Sequence, residues 1–425
     1  MRDWPTVRLD DVADIRISNV DKKSVTGERP VRLCNYMDVY GNDYIDGRLD
    51  FMEATAAAAE IERFKLQRGD VLMTKDSETP DDIGISAVMI EDVEGLVAGY
   101  HLALIRPRRD GIDPVYLAKQ LSAAKAVRHL SRRAAGSTRY GLSISTIAST
   151  PVAVPPLAVQ RYIGEILSTL DNAINRTEAL VAKSEQVKAG LLEQLLSHGV
   201  SSNGTLRAAR DDAPHLYKET RVGWLPIGWE VKELQMLADV SRGKFTVRPR
   251  NDPRYYGGEY PFIQTGDVAL ARGRILTDFG QTVNRHGLSV SKLFPVGTIM
   301  VTIAANIADT CILGVPMCAP DSLVGVTPKA GENVRFLELS IRSKKRWLEG
   351  RAPQTAQRNI NLEDLRPLLI ASPDRTEQAA IAATYEAADS STECIERDLV
   401  KLQLQKAGLM CDLFSGEVRV NGLAA

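Results

Sequence analysis

The feature that most constrains this chain is an internal repeat that runs through most of its 425 residues. The tetrapeptide KAGL occurs at 188–191 and again at 406–409, an offset of 218 residues. Upstream, the segment WPTVRLDDVADI at 4–15 aligns with WEVKELQMLADV at 229–240 at an offset of 225. Further pairs fall on the 218-residue offset: Gln160 with Gln378, Asp171 with Asp389, and Lys183 with Lys401. Self-similarity of this kind indicates a chain that is built from two copies of one unit.

Each copy has a mixed segment followed by a long helical segment, and a short polar connection joins the two copies. The connection is rich in Ser, Gly, Asn and charged residues, which is typical of an exposed linker. We therefore predict an α+β fold with two tandem mixed α/β domains, separated by a pair of long antiparallel coiled-coil helices and related by a pseudo-two-fold internal repeat. The predicted organisation is a first head at 1–150, a central spacer helix at 151–200, a linker at 201–222, a second head at 223–360 and a C-terminal spacer helix at 361–425.

Both helical segments carry a heptad pattern, with apolar residues at alternating steps of four and three, and this predicts a coiled coil. At about 1.5 Å per residue, a helix of about 37 residues is roughly 55 Å long. The predicted seam residues of the first helix are Leu167, Leu170, Ile174, Val181, Lys188, Leu191 and Leu195. Those of the second are Ile395, Leu399, Leu402, Lys406, Leu409 and Leu413.

Two lysines, Lys188 and Lys406, interrupt the apolar seam at equivalent positions of the two helices. A lysine at such a position commonly extends its long stem along the helix and places its charge in water. We expect this arrangement here. The alternative is that a buried polar residue fixes the register of the two helices.

The distribution of charge is uneven although the formal net charge is only −1. Residues 114–164 contain no Asp or Glu, residues 342–358 contain only Glu349, and residues 241–256 contain only Asp252. Each of these stretches carries several Lys or Arg residues. Such local excess is expected where a protein contacts a phosphate backbone. For any single stretch, a solvated helix face is the alternative.

A loop rich in small polar side chains follows each basic helix, at 134–144 and at 352–362. Arg, Gln and Asn read base edges through paired hydrogen bonds, and Ser and Thr assist them. The predicted DNA-binding residues of the first head are Lys75, Arg128, Arg132, Arg133, Ser137, Thr138, Arg139 and Tyr140. Those of the second head are Arg242, Lys244, Arg248, Arg250, Tyr255, Tyr256, Lys344, Lys345, Arg351, Gln354, Thr355, Gln357, Arg358 and Asn359. An ordinary helix-to-strand turn is the alternative for each loop.

The stretch 76–94 has the opposite character, with seven acidic residues and no basic one. We expect most of these carboxylates to face solvent or to pair with the basic helix. Asp76 or Glu78 is suited to accept a hydrogen bond from a cytosine amino group.

The sequence predicts no catalytic residue and no metal site. The five cysteines and five histidines are scattered, without zinc spacing or a triad. We expect the cysteines to be small buried side chains in a reducing compartment. No Gly-rich phosphate loop or amino-methyltransferase motif is present. No apolar run reaches the roughly 20 residues that span a bilayer, and the N-terminus lacks the apolar core of a signal peptide, so we expect a cytoplasmic protein.

In this arrangement the chain resembles the specificity subunit of type I restriction-modification systems. The stretches LMTKDSETPDDIG at 72–84 and YPFIQTGDV at 260–268 look like characteristic parts of its target recognition domains. Proline-containing strands, STPVAVPPLAVQ at 149–160 and LRPLLIASPDRTEQ at 365–378, lead into the long helices as in that family. The similarity covers nearly the whole chain.

The resemblance implies that each head reads one half of a bipartite, asymmetric site on double-stranded DNA. The helices would set the distance between the half-sites and dock two methyltransferase subunits, and restriction subunits would join that core. S-adenosylmethionine would be bound by the methyltransferase partner, and this chain itself would bind no cofactor and catalyse no reaction. The alternative is a coiled-coil adaptor whose heads bind proteins, and salt-dependent binding of DNA by the heads distinguishes the two.

Overall fold

A computed structural model describes residues 4–108, 111–201, 203–304, 306–352 and 359–415. The contacts divide these residues into two compact units. The first unit contains residues 4–179 and 396–415, and the second contains residues 180–395. Each unit therefore comprises one head and a segment of each long helix.

The first unit is mixed α/β in its head. Its strands are β1 (Thr6–Arg8), β2 (Ala13–Ile17), β3 (Arg29–Cys34), β4 (Tyr44–Ile45), β5 (Met52–Ala56), β6 (Val71–Thr74), β7 (Asp76–Ser77), β8 (Ser86–Met89), β9 (Leu96–Ala98), β10 (Leu102–Pro107), β11 (Tyr140–Gly141) and β12 (Pro151–Ala153). Its helices are α1 (Leu9–Val12), α2 (Tyr36–Tyr40), α3 (Ala58–Phe64), α4 (Pro114–Leu121), α5 (Ala124–Ser131), α6 (Ile144–Ala148) and the start of α7 (Leu157–Ser197).

The second unit repeats much of this order. Its strands are β13 (Tyr217–Thr220), β14 (Gly223–Pro226), β15 (Glu230–Glu233), β16 (Ala238–Arg242), β17 (Tyr256–Pro261), β18 (Ile275–Leu276), β19 (Thr282–Val283), β20 (Lys292–Phe294), β21 (Ile299–Thr302), β22 (Thr310–Leu313), β23 (Met317–Ala319), β24 (Leu323–Pro328) and β25 (Leu369–Ser372). Its helices are α8 (Leu234–Leu237), α9 (Thr265–Ala271), α10 (Arg285–Val290), α11 (Val334–Ser343), α12 (Lys345–Arg351), α13 (Leu362–Leu365) and the start of α14 (Arg375–Ser415).

A five-stranded sheet of the same topology forms the centre of each head. The strand order is β2-β10-β6-β8-β4 in the first head and β16-β24-β21-β22-β18 in the second. In both sheets only the short edge strand pairs in parallel. The register also repeats, since Pro107 lies opposite Ala13 and Pro328 opposite Ala238. The predicted internal repeat is thus confirmed in strand order and register.

The central strands are uninterrupted apolar runs because both faces of each sheet are covered. Strands β6 and β21 are buried at every position. Successive residues of β6 supply different cores, since Met73 packs with Tyr116 of α4 whereas Leu72 packs with the cluster around Leu33.

The two long helices begin with the same hydrogen bonds in both units. The Gln160 side chain accepts from the backbone N–H of Asp113 at 2.8 Å and donates to the carbonyl of Pro155 at 2.8 Å. The Gln378 side chain accepts from the N–H of Asn333 at 3.1 Å and donates to the carbonyl of Pro373 at 3.2 Å. Both glutamines are buried. Each therefore connects its long helix to the start of α4 or α11.

Replacing Gln160 with leucine is expected to lower the free energy of unfolding by about 1–3 kcal/mol, because a buried amide and a buried carbonyl lose their partners. We expect Gln378→Leu to have the same effect. Urea unfolding followed by circular dichroism measures both. The control is Gln405→Leu on the exposed face of α14, which should change stability by less than about 0.5 kcal/mol. A loss for Gln160→Leu no larger than the control would contradict the role given to these bonds.

Helices α7 and α14 are each 41 residues long, and their segments run antiparallel within each unit. In the second unit, Ser184 contacts Thr392 at 2.7 Å, whereas Lys188, one turn later on α7, contacts Asp389, which precedes Thr392 on α14. In the first unit, Asp171 lies beside Lys406 and Glu178 beside the earlier Gln403. All thirteen predicted seam residues are buried or half-buried.

The expectation that Lys188 and Lys406 extend into water is wrong. Lys188 is only 7% exposed, and its Nζ lies 2.7 Å from Asp389 and 2.8 Å from Glu185. Lys406 is half-buried, with Nζ 2.6 Å from Asp171. The carboxylate on the facing helix makes burial of the ammonium group tolerable.

Lys119, which the sequence places in the basic stretch of the first head, is also internal. It is 3% exposed, and its Nζ lies 2.7 Å from both Asp43 and Asp171. It therefore belongs to the contact between the head and α7, and its charge does not contribute to a cationic surface.

The connection at 201–222 is largely exposed, as its composition predicts, but it is folded. Strand β13 forms a hairpin with β14, and a 3₁₀ turn spans Pro214–Leu216. Arg207 pairs with Glu377 at 3.0 Å. The Tyr217 hydroxyl donates to the carbonyl of Ala208 at 2.5 Å.

The cysteines divide into two groups. Cys34, Cys311 and Cys318 are buried, as expected, and burial raises the pKa of their thiols. The expectation is wrong for Cys394 and Cys411, which are exposed on α14. Their positions lie outside the helix seam, where a small side chain has no partner to pack against. Within the described part of the chain, no helix has both the length and the apolar character to cross a membrane.

Candidate nucleic-acid interface

Three loops of the first head meet at one edge, and we call residues 74–84, 99–101 and 132–143 the first loop cluster. Strand β7 pairs with β11 and so joins the outer two loops. The N–H of Leu142 donates to the carbonyl of Lys75 at 2.8 Å, and the N–H of Lys75 donates to the carbonyl of His101 at 3.1 Å. The sheet thus brings together loops that are far apart in the sequence.

The described residues of the second head build the same arrangement, the second loop cluster, from 302–304, 306–309, 320–322, 351–352 and 359–361. The N–H of Ile360 donates to the carbonyl of Ile303 at 3.0 Å, and the N–H of Ile303 donates to the carbonyl of Ser322 at 3.2 Å. An isolated bridge joins Ala304 to the exposed Asn359. Residue 305 and residues 353–358 lie outside the described residues, and with them the predicted contacts Gln354, Thr355, Gln357 and Arg358.

An ionic group occupies the centre of the first loop cluster. Asp76 lies 3.1 Å from Lys75 and 2.8 Å from His101, and the Lys75 ammonium sits 4.7 Å above the ring of Tyr100. Partial burial opposes ionisation of Asp76, but hydrogen bonds from His101 and Lys75 outweigh it and hold the pKa of the carboxyl below its usual value. The carboxylate is therefore ionised at neutral pH and acts as a hydrogen-bond acceptor.

Basic helix α5 borders the first loop cluster, since the hydroxyl of Ser131 donates to Asp81 at 3.1 Å. Its arginines and the loop beyond it are exposed: Arg128, Arg132, Arg133, Ser137, Thr138 and Arg139 are exposed, and Tyr140 is half-buried. Among the residues that the structure describes, none of these four arginines forms an ion pair with a carboxylate. They carry the excess positive charge of this edge.

Two tyrosines of α2, which were not among the predicted contacts, also border the first loop cluster. The rings of Tyr36 and Tyr40 stack with centroids 5.5 Å apart. The Tyr40 hydroxyl donates to Asp82 at 3.1 Å, and this bond raises the pKa of the phenol. The available signal was the match between MDV at 37–39 and GDV at 266–268, which marks α2 and α9 as equivalent.

Three predicted arginines of the second head converge on Asp321 in the loop 320–322. Arg250 Nη2 lies 2.7 Å from its Oδ1, and Arg248 Nη2 lies 3.7 Å from its Oδ2. Arg242 Nε donates to its backbone carbonyl at 2.5 Å. All three arginines are exposed; Arg250 and Arg248 lie at the Asp321 carboxylate, whereas Arg242 binds the backbone carbonyl.

The remaining predicted cations of the second head lie at its basic helices. Lys345 pairs with Asp309 of the second loop cluster, and Arg351 lies 4.8 Å above the ring of Trp347. Lys344 is half-buried between α11 and α12, whereas Lys244 is exposed. Trp347 was not among the predicted contacts, although its four-residue spacing from Arg351 on a helix was visible in the sequence.

Tyr255 and Tyr256 were predicted as DNA contacts, but the structure places their rings in a small core. Both rings lie against Phe245, with centroids at 6.5 and 5.7 Å, and Tyr256 also contacts Phe262. Packing therefore accounts for these side chains.

The two clusters can bind a polyanion and present hydrogen-bonding groups at the same edge. The first has the exposed arginines of α5 and the following loop beside the ionised Asp76, and the second includes Asp321, which pairs with Arg248 and Arg250, and the exposed amide of Asn359. Among the described residues, no group of three or more His, Cys, Asp or Glu side chains is placed to hold a metal ion.

Comparison with known proteins gives one family. The sequence model of the type I restriction modification DNA specificity domain matches residues 1–187 and 226–404. A Methanocaldococcus jannaschii protein assigned as the specificity subunit of type I restriction enzyme MjaX is 25% identical over 373 residues, which cover 85% of this chain and 81% of that protein.

Solved structures share the fold. The S subunit of a type I restriction-modification system from M. genitalium superposes with a TM-score of 0.56 at 12% identity, covering 97% of this chain and 96% of its own. A chain from a structure that describes complex assembly and conformational transition of the type I R-M system superposes with a TM-score of 0.58 at 15% identity, covering 98% and 99%. With both of its repeats matched by the same family, the chain belongs to the type I restriction modification DNA specificity family, as a specificity subunit.

Proposed function

We propose that this chain selects the DNA target of a type I restriction-modification complex by reading a bipartite site, one half with each loop cluster. The observation that carries the proposal is that one sheet topology presents the same three-loop edge twice with different side chains. Lys75, Asp76 and His101 occupy the edge in the first head, whereas Asp321 and its arginines occupy it in the second. Different side chains read different base pairs, so the two half-sites would differ and the whole site would be asymmetric.

The helices would set the number of unspecified base pairs between the half-sites. A helix of 41 residues is ~60 Å long at about 1.5 Å per residue, whereas one turn of duplex rises about 34 Å. The helices are therefore long enough to hold two heads that contact the same face of the DNA about one turn apart.

The chemistry would belong to partner chains. Two methyltransferase subunits, carrying S-adenosylmethionine, would dock on the helical segments, and restriction subunits would join that complex. This chain would then supply recognition and placement, with no catalytic residue and no cofactor of its own. The predicted cytoplasmic location agrees with a target on chromosomal or incoming DNA.

The double substitution Arg132→Ala/Arg133→Ala is expected to weaken DNA binding and to make it less dependent on salt. Each phosphate contact contributes about 0.9 to the slope of log K against log salt concentration, so the slope should become shallower by up to about 1.8. Fluorescence anisotropy with the full chain and a labelled duplex, between 50 and 200 mM salt, measures it.

The control is Lys218→Ala/Arg221→Ala, which removes two exposed cations from the β13–β14 region. It should leave the slope unchanged. Equal effects of the two double variants, or binding by the wild-type chain that does not respond to salt, would contradict DNA recognition by the heads and favour the adaptor alternative.

Mapping of methylated bases in the host genome tests the bipartite site itself. Cells with the gene should carry methylation at one split, non-palindromic motif that is missing from cells without it. Methylation at a continuous or palindromic motif would contradict the proposal that two unlike heads read two unlike half-sites.

A further inference from the structure

We infer that Asp321 determines the specificity of the second head by holding Arg248 and Arg250 away from the backbone of non-target DNA. The inference rests on the proposed function, since it concerns how the second loop cluster distinguishes its target from other duplexes. Asp321 acts through the two arginines, so it is a positioning residue.

The geometry builds a defined anion position beside Arg250 and Arg248. Arg250 Nη2 contacts both carboxylate oxygens of Asp321, at 2.7 and 3.0 Å. Arg248 Nη2 approaches one of them at 3.7 Å, while its Nη1 donates to the carbonyls of Phe245 and Val247 at 3.0 and 2.7 Å. The segment that carries Arg242 is fixed against the same loop, because the N–H of Gly243 donates to the carbonyl of Leu323 at 2.8 Å. The Asp321 carboxylate therefore occupies the place where a phosphate would be expected to bind.

Close packing holds the loop in place. A Cβ added at Gly243 would lie 2.1 Å from the carbonyl oxygen of Pro320, so only glycine permits this approach of the two segments. The backbone of the loop thus fixes the position from which the Asp321 carboxylate reaches the arginines.

The contact is suited to exchange. The side chains of Arg248 and Arg250 are 57% and 52% exposed, and that of Asp321 is 33% exposed. Ion pairs with this exposure are weak, because water and salt screen them. A phosphate in good geometry can therefore replace the carboxylate at little cost, whereas for a loosely placed non-target duplex the carboxylate competes with each weak phosphate contact and lowers the affinity.

The first head shows the contrast. The loop 99–101 is equivalent to 320–322, and Tyr100 stands where the second head has Asp321, since the loop follows strands β9 and β23 in the two heads. The arginines of α5 and its following loop have no carboxylate partner among the described residues. The two heads therefore differ in which cations an internal anion covers: Asp76 pairs with Lys75 and His101 in the first head, whereas Asp321 pairs with arginines in the second.

The test is Asp321→Asn in the full chain, measured by anisotropy with a random-sequence duplex. Release of one or two arginines should make the salt slope steeper by about 0.9 to 1.8 and tighten non-target binding by about threefold to tenfold near 100 mM salt. The control is Glu230→Gln, which removes one negative charge at an exposed carboxylate paired with Lys232 at 2.9 Å. It should not change the slope.

A second comparison separates positioning from simple loss of charge. In the background Arg248→Ala/Arg250→Ala, Asp321→Asn should have no further effect on the slope. The inference is overturned if Asp321→Asn leaves the slope unchanged, weakens binding, or acts equally in that background. If the wild-type chain shows no salt-dependent binding at all, the proposed function fails first.

Discussion

Asp389→Ala is expected to lower the free energy of unfolding of the second unit by about 3 kcal/mol. Lys188 would then be a buried ammonium group whose main partner is gone, and breaking one side of a buried pair costs about 3–5 kcal/mol. The lower figure applies because Glu185 remains 2.8 Å from Lys188. Urea unfolding of the full chain, followed by circular dichroism, measures the loss.

The matched variant replaces both partners. Lys188→Leu/Asp389→Leu should recover most of the stability, because an apolar pair of similar volume often equals or exceeds a buried ion pair. What it should lose is a unique register, since a polar residue at a coiled-coil seam fixes the alignment of the helices. Higher oligomers by light scattering would show that loss. A change of less than about 0.5 kcal/mol for Asp389→Ala would contradict a stabilising role for the pair.

The pair also predicts how this contribution depends on pH. Burial opposes ionisation of both groups, but hydrogen bonds from Lys188 and Arg274 hold the pKa of Asp389 below its usual value. Hydrogen bonds to Asp389 and Glu185 likewise hold the pKa of Lys188 above its usual value. The stabilisation by Asp389 is therefore present above about pH 4, its unfolded pKa, and disappears as pH falls through the folded pKa. That from Lys188 is present below about pH 10 and disappears at higher pH.

The same interaction occurs once more in the first unit, with the helices exchanged. There the lysine is on α14 and the aspartate is on α7, as Lys406 and Asp171. Both pairs follow the 218-residue offset of the repeat. The pairing of Lys188 with Asp389 was thus predictable. Two lysines and two aspartates recur at one offset, so on antiparallel helices each lysine can face an aspartate of the other helix.

Periodicity and local charge were the features that the sequence could reveal. The repeat, the heptad seams and the exposed arginines from Arg128 to Arg139 depend on residues that are close together or on an exact offset. For this reason the repetition of one strand order, the antiparallel helices and the exposed polar loop all agree with expectation.

Contacts that depend on sheet order were not predictable. The loops 99–101 and 320–322 join their clusters because β10 and β24 lie beside the central strands β6 and β21. No local pattern marks Tyr100 or Asp321 as neighbours of the recognition loops. Likewise, Tyr255 beside basic residues has the composition of a nucleic-acid contact, and only the position of Phe245 shows that it packs internally.

Gly136→Ala is expected to remove recognition by the first head while leaving the second head intact. Gly136 has φ +146°, and a Cβ there would lie 2.0 Å from the backbone oxygen of Arg139. Backbone atoms cannot move aside as the end of a flexible side chain can, so the turn must open to make room for the added methyl group. Arg139 and Tyr140 would then leave their positions beside β7.

The structural change caused by Gly136→Ala should be confined to this turn. The turn is closed by Ala135 and Gly141, whose N–H groups donate to each other's carbonyls at 3.1 and 2.9 Å. The turn contributes only the flanking side chains of Ala134, Tyr140 and Leu142 to the core of the first head around Tyr116. Circular dichroism and the urea midpoint should therefore remain close to those of the wild-type chain, and the loss should appear in DNA binding.

Specific affinity should fall by about 1–3 kcal/mol for each base pair that the first loop cluster no longer reads, which is about fivefold to 150-fold per base pair. The decisive measurement compares duplexes with a substitution in one half-site of the methylated motif. The variant should become indifferent to substitutions in one half-site and keep full discrimination at the other. Gly350→Ala is the control, since it makes the same chemical change in α12 where a Cβ meets nothing within 4 Å. Equal loss at both half-sites would mean that the two heads do not read separately, and retained discrimination would mean that the turn at Gly136 is no part of the reading edge.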